Sequence, residues 1–193
     1  MIIKDAKFLT SIIDKNKLEQ LSLPQFAFVG RSNVGKSSLL NALSKRKSLA
    51  KTSSTPGRTR LINIFEINNS FYFVDLPGYG FAKASKTEQA SWQGLIEDYL
   101  TNSQNLKLVF VLIDSRHSPT EKDIQMLKFL YAYQIPFKII ATKIDKLTKT
   151  ELQKNKKLIS SELGVGVDDI IFVSSEKKQN ISQILDLIEE FLN

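Results

Sequence analysis

The chain has 193 residues, with 27 Lys and Arg against 20 Asp and Glu, one His and no Cys. That length suits a single domain with its own hydrophobic core, and 42% apolar with 24% charged residues is typical of a globular protein rather than a disordered or fibrous one. The missing Cys excludes disulfides, thiolate zinc sites and a cysteine nucleophile, and a single His excludes a multi-His metal centre. Chemistry must therefore depend on hydroxyls, carboxylates, amines, backbone amides or a bound metal ion.

Charge and hydropathy also bear on partners and location. The net charge of +7 mildly favours a polyanionic partner. The longest apolar run, Leu108–Ile113, is far shorter than the roughly 20 residues that a membrane span needs. We therefore expect a soluble cytoplasmic protein with no membrane association, folded as one domain over 1–193 with 1–23 as an N-terminal extension packing on it.

Short β-rich runs alternate with helical segments along the chain. Several of these runs are continuously apolar, which is typical of strands buried on both faces. Between the second and third, 68–70 reads Asn-Asn-Ser, which predicts a hairpin and makes these two strands antiparallel. The predicted strands are Phe26–Val29, Leu61–Ile67, Phe71–Asp75, Leu106–Asp114, Phe137–Thr142 and Ile170–Val173.

Helix starts are marked by capping signals. Capping boxes are predicted at 85–88, at 118–121 with Pro119 in the first helical position, and at 148–151. Asn180 can cap the last helix, whose apolar residues share one face: Ile181, Ile184, Leu185 and Ile188. The alternation predicts a three-layer α/β fold with about six strands, parallel except for one, and such sheets bind ligands at the carboxyl ends of their strands.

The first strand runs directly into a G-x-x-x-x-G-K-S loop and then a helix. This is the context in which that motif cradles phosphates: its glycines let backbone N–H groups turn inward, Lys36 reaches the β- and γ-phosphates, and the Ser37 hydroxyl can bind Mg²⁺. The loop consists of Gly30, Arg31, Ser32, Asn33, Val34, Gly35, Lys36 and Ser37. By itself it does not distinguish ATP from GTP.

A D-x-x-G sequence follows the third strand, as Asp75, Leu76, Pro77 and Gly78. An Asp at this position can hold Mg²⁺ through a water molecule, and the Gly78 amide can contact a γ-phosphate. Tyr79 stands where a water-orienting Gln is usual, and a phenol substitutes poorly for an amide. The sequence therefore predicts slow intrinsic hydrolysis of a bound nucleoside triphosphate.

The fifth strand ends in Thr142, Lys143, Ile144 and Asp145. A carboxylate there can accept hydrogen bonds from the N1–H and the exocyclic amine of guanine, whereas adenine offers neither donor. Lys143 can pack its stem along the base, and the segment Val173, Ser174 and Ser175 can offer backbone groups to it. The commoner form of this motif is N-K-x-D, and Thr142 stands in place of its Asn. This difference concerns how firmly the loop is held and not the choice of guanine.

The order and spacing of these motifs resemble the translation-factor-related P-loop GTPases. The segments 51–63 (KTSSTPGRTRLIN) and 74–82 (VDLPGYGFA) are similar to switch I and switch II of the EngB (YihA/YsxC) family, within the TrmE-Era-EngA-EngB-Septin-like GTPases. The resemblance spans about residues 5–190. It implies a small G domain, a Mg²⁺-dependent GTPase of low intrinsic rate, and a switch in large ribosomal subunit assembly with a link to cell division and septation.

The resemblance also assigns roles within switch I and the P-loop. Thr59 joins Ser37 on Mg²⁺ and, with Lys36 and Gly78, forms the catalytic set, while Gly57, Arg58, Arg60 and Leu61 surround the nucleotide. Some relatives with Asn at the position of Asn33 coordinate K⁺ there, so we predict a possible K⁺ site; a purely structural role for Asn33 in the loop stays open.

Two basic clusters are candidates for rRNA contact: Lys45, Arg46, Lys47, Lys51, Arg58 and Arg60, and Lys146, Lys149, Lys154, Lys156 and Lys157. The expected partner is the large ribosomal subunit or its precursor, through rRNA and ribosomal proteins near switch I, and we expect a monomer. Ordinary solvated surface remains an alternative explanation of both clusters. Alternative functions are a P-loop ATPase or small kinase, a signalling GTPase that recruits a protein without binding ribosomes, and a nucleotide-binding scaffold.

Overall fold

The protein is represented by a computed structural model that describes residues 1–12, 21–50, 61–79 and 86–193, with the side chains of 86–93 outside the description. Within these ranges the strands are β1 (Ala6–Ile12), β2 (Gln25–Gly30), β3 (Ile62–Ile67), β4 (Phe71–Asp75), β5 (Leu106–Asp114), β6 (Phe137–Thr142) and β7 (Ile170–Phe172). The helices are α1 (Lys36–Leu43), α2 (Lys86–Asn102), α3 (Glu121–Ala132), α4 (Lys149–Leu163) and α5 (Ile181–Leu192). Strands and helices alternate, as the sequence predicts.

The described strands form one sheet in the order β1-β3-β4-β2-β5-β6-β7. The pairs β2–β4, β2–β5, β5–β6 and β6–β7 are parallel, and β3 is antiparallel to both of its neighbours. The predicted mostly parallel sheet with one antiparallel strand is confirmed, but it has seven strands rather than about six. The additional strand is β1, within the predicted N-terminal extension; Lys7, Thr10 and Ser11 interrupt its apolar residues because it is a half-exposed edge strand.

Helices cover both faces of the sheet and create two apolar cores. Along β2, the side chains of Phe26 and Phe28 enter one core and those of Ala27 and Val29 enter the other. The first core also holds apolar residues of α1 and α5, and the second those of α2, α3 and α4. Because strand side chains alternate between faces, a continuously apolar β2 fits only a strand covered on both sides.

The hairpin between β3 and β4 forms as predicted. Asn68 and Asn69 both have a φ of 51°, and the Ser70 N–H donates to the Ile67 carbonyl at 2.9 Å. Two consecutive positive φ angles are the conformation of a type I′ turn, which Asn tolerates better than most residues. The Asn68 side chain also accepts hydrogen bonds from the backbone N–H groups of Lys4 and Asp5, which ties the approach to β1 onto the hairpin.

The predicted helix starts have mixed outcomes. The capping box of α4 is confirmed, since Glu151 accepts from the N–H of Thr148 and its N–H donates to the Thr148 hydroxyl. The box at 118–121 is wrong by two residues: α3 begins at Glu121, and Asp123 accepts from Thr120. Proline at 119 lies outside the helix because Thr120, with its extended backbone, is the residue that precedes the first turn.

For the last helix, Asn180 occupies the predicted N-cap position but does not cap with its side chain. It adopts a left-handed conformation, and its amide donates to the Phe172 carbonyl at 2.7 Å. The predicted apolar face of α5 is confirmed, because Ile181, Ile184, Leu185 and Ile188 are all buried. The box at 85–88 begins at Ser85, outside the described residues. None of the described helices combines the length and the apolar character that crossing a membrane requires.

Candidate nucleotide site

The loop between β2 and α1 depends on glycine at two positions. A Cβ on Gly30 would lie 2.7 Å from the Leu112 carbonyl oxygen of β5, so only glycine allows these strands to pair this closely. Gly35 has a φ of +106°, in the left-handed region that favours glycine, and it immediately precedes α1. These two constraints explain why the predicted G-x-x-x-x-G spacing fits here.

The same loop exposes backbone donors that the described residues leave unused. The N–H groups of Asn33, Gly35, Lys36 and Ser37 donate to no acceptor in the described part of the chain, nor does the Ser37 hydroxyl have a partner there. They sit at the positive end of the α1 dipole. Such an arrangement can bind an anion with several oxygen acceptors, as a phosphate has.

Lys36 and Asp75 meet at the centre of the site. The Lys36 ammonium contacts the Asp75 carboxylate, and the two side chains are 9% and 5% exposed. The P-loop and the D-x-x-G segment are therefore adjacent, as the sequence predicts, because β2 and β4 are parallel neighbours that end on the same edge. The direct ion pair between them was not predicted.

Tyr79 connects the D-x-x-G segment to the P-loop and to α3. Its N–H donates to the Gly30 carbonyl at 3.2 Å, and its carbonyl accepts from the Ser32 N–H at 3.1 Å. Its hydroxyl donates to Asp123 Oδ1 at 2.8 Å. Burial, together with the nearby Asp123 carboxylate, raises the pKa of the Tyr79 hydroxyl well above its usual value, so the group remains a hydrogen-bond donor.

Thr142 and Lys143, at the carboxyl end of β6, hold the P-loop in place. The buried Thr142 hydroxyl donates to the Val34 carbonyl at 2.6 Å. Threonine therefore holds the loop in place although it replaces the commoner Asn. The Lys143 ammonium donates to the Asn33 carbonyl at 2.6 Å and to Asp114 Oδ2 at 2.8 Å. Asn33 thus braces the loop through its backbone, while its side-chain amide has no partner among the described residues.

Asp145 is held in place by the segment that follows β7. Its Oδ1 accepts from the Ser174 hydroxyl at 2.6 Å, and its Oδ2 lies 3.3 Å from the Lys146 ammonium. Burial alone would raise the pKa of Asp145, but these hydrogen bonds outweigh it and lower the pKa below its usual value. The carboxylate therefore stays ionised and can accept hydrogen bonds, which is what guanine recognition requires.

Asp114 is a site residue that sequence reasoning missed. It ends β5 and accepts from Arg116 through both carboxylate oxygens, at 2.9 and 2.8 Å, as well as from Lys143. Burial would raise the pKa of Asp114, but the hydrogen bonds from Arg116 and Lys143 lower it strongly. The sequence could have indicated Asp114 because it lies at the carboxyl end of a predicted strand. Ligands bind at such strand ends, and this rule identified the predicted site residues after β4, β6 and β7.

A cavity of about 230 Å³ lies on the side of the P-loop that faces α3. Polar groups from the loop, from the end of β5 and from the start of α3 line it; they include Arg31, Asn33, Asp114, Arg116, His117 and Asp123. His117 is exposed and lies in the loop between β5 and α3.

Several predicted site residues have side chains in the apolar core. Val34, Leu76, Ile144 and Val173 are buried there, so only their backbone groups face the end of the sheet where the site lies. Gly57, Arg58, Thr59 and Arg60 lie outside the described residues, as does Lys51. Leu61 directly precedes β3 and is half-buried, and Ser175 follows Ser174 at intermediate exposure.

The described lysines of the basic clusters are largely on the surface. Arg46 lies 3.3 Å from Asp5, and Lys146 pairs with Glu176 at 2.8 Å as well as with Asp145. Lys156 lies over the Phe172 ring, 5.0 Å from its centroid. Lys45, Lys47, Lys149, Lys154 and Lys157 are exposed.

A phosphate-binding loop between β2 and α1, an adjacent D-x-x-G segment and a fixed carboxylate at the guanine position define the class of P-loop GTPases. A family model described as "50S ribosome-binding GTPase" matches residues 25–143. A probable GTP-binding protein EngB from Clostridium kluyveri is 50% identical over 194 residues, covering 100% of this chain and 98% of that protein. Its counterpart from Fusobacterium nucleatum is also 50% identical, with 100% of both chains covered.

Structural comparison agrees. A crystal structure of a probable GTP-binding protein EngB matches with a TM-score of 0.71 and 25% identity, covering 87% of this chain and 98% of that one. The structure of Era in complex with MgGDPNP and nucleotides 1506–1542 of 16S ribosomal RNA has a TM-score of 0.70 at 24% identity, and this similarity concerns the fold alone. The chain belongs to the EngB family of GTP-binding proteins and is a GTPase.

Proposed function

We propose that this GTPase binds guanine nucleotides with Mg²⁺, hydrolyses GTP slowly, and acts as a switch in assembly of the large ribosomal subunit. The proposal of guanine-nucleotide binding rests on one observation: the fixed Asp145 carboxylate after β6 lies on the same edge of the sheet as the P-loop, whose backbone donors are unused. Asp145 would accept from the guanine base, with Lys143 packed along it and backbone groups of 173–175 beside it. The P-loop amides and Lys36 would bind the phosphates.

The residues present fit a Mg²⁺ ion bound together with the substrate. The Ser37 hydroxyl has no partner in the described part of the chain, and the Asp75 carboxylate contacts the preceding residue, Lys36. No cluster of three acidic or His side chains occurs among the described residues, which suits an ion held largely by phosphate oxygens and water. Ser37 and, by family resemblance, Thr59 would ligate the ion directly and Asp75 through water. When bound, Mg²⁺ supplies charge stabilisation for phosphoryl transfer.

Hydrolysis would depend on positioning and charge. Lys36 must exchange its contact with Asp75 for the phosphates, and the Gly78 N–H would contact the γ-phosphate. Tyr79 occupies the position of the usual water-orienting Gln, and its hydroxyl is engaged with Asp123, which supports the expectation of slow turnover.

A monovalent cation could supply part of the missing charge. The side-chain amide of Asn33 has no partner among the described residues, which supports a role as a K⁺ ligand. We predict that K⁺ raises the steady-state rate of GTP hydrolysis and that Na⁺ at the same ionic strength does not. Equal rates in the two salts would leave Asn33 as a structural loop residue.

Two observations support a large-subunit partner: the matching family is described as "50S ribosome-binding GTPase", and basic residues are in excess. The exposed cluster 45–47 lies three residues before the segment similar to switch I, so we propose that its affinity for rRNA follows the bound nucleotide. A link to cell division and septation would then be a consequence of ribosome assembly, and the protein would act in the cytoplasm as a monomer.

Co-sedimentation with separated ribosomal subunits tests this proposal. We expect retention on large-subunit particles with a non-hydrolysable GTP analogue, less with GDP, and loss at high salt because phosphate contacts release counterions. The matched variant replaces Lys45 and Lys47 with Ala, and its control replaces Lys107 and Lys128, which are exposed and lie outside both basic clusters. Nucleotide binding without retention in any state would favour a signalling GTPase that recruits a protein instead.

A further inference from the structure

Tyr79 is fixed more firmly than its place after the D-x-x-G motif requires. Its backbone makes one hydrogen bond to Gly30 and one to Ser32, and its hydroxyl makes a third, to Asp123. The three partners belong to β2, the P-loop and α3. A single residue therefore connects the segment that ends at Gly78 to three parts of the fold.

Asp123 is itself immobilised. Its side chain is buried, with 2% of the residue exposed, and its Oδ2 accepts from both the N–H and the hydroxyl of Thr120 at 2.7 Å. It also lies in the first turn of α3, where the helix dipole favours a negative charge. Its Oδ1 is left to accept from Tyr79, so the carboxylate presents a fixed acceptor to the D-x-x-G segment.

Gly78 is the residue whose placement this arrangement controls. A Cβ at this position would lie 3.1 Å from the Ser32 nitrogen, so the chain passes very close to the P-loop here. The Gly78 N–H has no acceptor among the described residues, whereas both backbone polar groups of Tyr79 are paired. The paired Tyr79 N–H fixes the Gly78–Tyr79 peptide, which restrains the Gly78 Cα and therefore the adjoining Pro77–Gly78 peptide that carries the unpaired Gly78 N–H.

We propose that Asp123 is a positioning residue, which acts through the Tyr79 hydroxyl to hold the Gly78 amide beside the P-loop for recognition of the γ-phosphate. The inference rests on the proposed role of Gly78 in GTP binding. Asp123 does not contact the nucleotide in this scheme. Its effect is confined to ligands that carry a γ-phosphate, because GDP makes no contact that depends on the Gly78 amide.

The test compares two tyrosines that each lose only a hydroxyl. Tyr79→Phe removes the donor to Asp123; Tyr99→Phe is the matched control, because Tyr99 is 1% exposed and its hydroxyl donates to Gln25 Oε1 at 2.9 Å, at the opposite end of β2. Calorimetric titration measures the affinity of each full-length protein for GDP and for a non-hydrolysable GTP analogue. Thermal unfolding measures any loss of stability common to both variants.

We expect Tyr79→Phe to weaken binding of the GTP analogue about tenfold, the scale of one hydrogen bond to a charged acceptor, with GDP affinity unchanged. Tyr99→Phe should alter neither affinity. Asp123→Ala should match Tyr79→Phe, combining the two should add nothing further, and Asp123→Asn, which keeps an acceptor oxygen, should retain most of the preference for the analogue.

Two results would overturn the inference in distinguishable ways. If Tyr79→Phe binds both ligands as the wild-type protein does, Asp123 has no positioning role, although the proposed function stands. If the wild-type protein binds neither GDP nor the analogue, the proposed function fails and this inference fails with it.

Discussion

The phosphate end and the base end of the candidate site differ in how far the protein satisfies its own polar groups. At the base end, Asp145 accepts from Ser174, and the Thr142 hydroxyl donates to Val34. At the phosphate end, several backbone donors of the P-loop have no acceptor among the described residues. Under the proposed function, selection of the base therefore depends on a prearranged carboxylate, whereas phosphate binding depends on hydrogen-bond acceptors that the ligand brings.

The largest expected effect concerns the phosphate end. Lys36→Ala removes the cation of the P-loop and leaves the buried Asp75 carboxylate unpaired, which costs roughly 3–5 kcal/mol of folding stability if the ionised form stays buried. We expect GTP turnover to fall by at least about 10²–10³, because charge stabilisation dominates phosphoryl transfer. Phosphate release under single-turnover conditions measures it. Turnover equal to that of the exposed-lysine control Lys128→Ala would contradict the assignment.

The next effect concerns the base end. Asp145→Asn exchanges a carboxylate acceptor for an amide, so guanine loses two charged hydrogen bonds, and its affinity should fall by roughly 10²–10⁴. Xanthine nucleotides, whose base edge complements an amide, should bind better to the variant than to the wild-type protein. Competition titrations with GDP and XDP measure both changes, with the exposed Asp168→Asn as control. Unchanged guanine affinity would refute the base assignment.

The smallest effect concerns Asp114, which joins the two ends through Lys143. Because its pKa is lowered in the folded protein, Asp114 stabilises the fold at pH values above the ordinary carboxyl pKa of about 4, and this contribution is lost as the pH falls below that value. Asp114→Asn should cost about 1–3 kcal/mol at pH 7, and the difference from wild type should shrink towards pH 3. Urea unfolding at pH 7, 5 and 3 measures it. A difference independent of pH would contradict this account.

Local signals predicted the site wherever the chemistry lies within one contiguous segment. The P-loop, the D-x-x-G segment and 142–145 each follow a strand, and the sheet brings all three to one edge. The roles of Asp114 and Asp123 were not predicted because their partners are distant in sequence. Lys143 is 29 residues from Asp114, and Tyr79 is 44 residues from Asp123. Such pairs depend on which strands and helices become neighbours, and no local pattern specifies that.

The same reasoning explains the errors in the fold. β1 was missed because an edge strand with exposed Phe8 and Leu9 has no clean alternation of apolar and polar residues. The start of α3 was displaced because both Ser118 and Thr120 can precede a helix with an acid three residues later. The tertiary hydrogen bond from Tyr79 to Asp123 favours Thr120 as the residue that precedes the helix.

The strand order has a consequence for how the protein is made. β2, which carries the P-loop, pairs only with β4 and β5, so its central position cannot be completed until more than a hundred residues have left the ribosome. Ser174, which donates to the Asp145 carboxylate proposed to bind guanine, emerges after the seven described strands, and α5 covers the first apolar core later still. Because chains fold as they are synthesised from the N-terminus, the proposed function implies a nascent stage that holds the phosphate loop but lacks the residue that fixes Asp145. If Asp145 selects guanine as proposed, discrimination between purines is among the last properties acquired during biosynthesis.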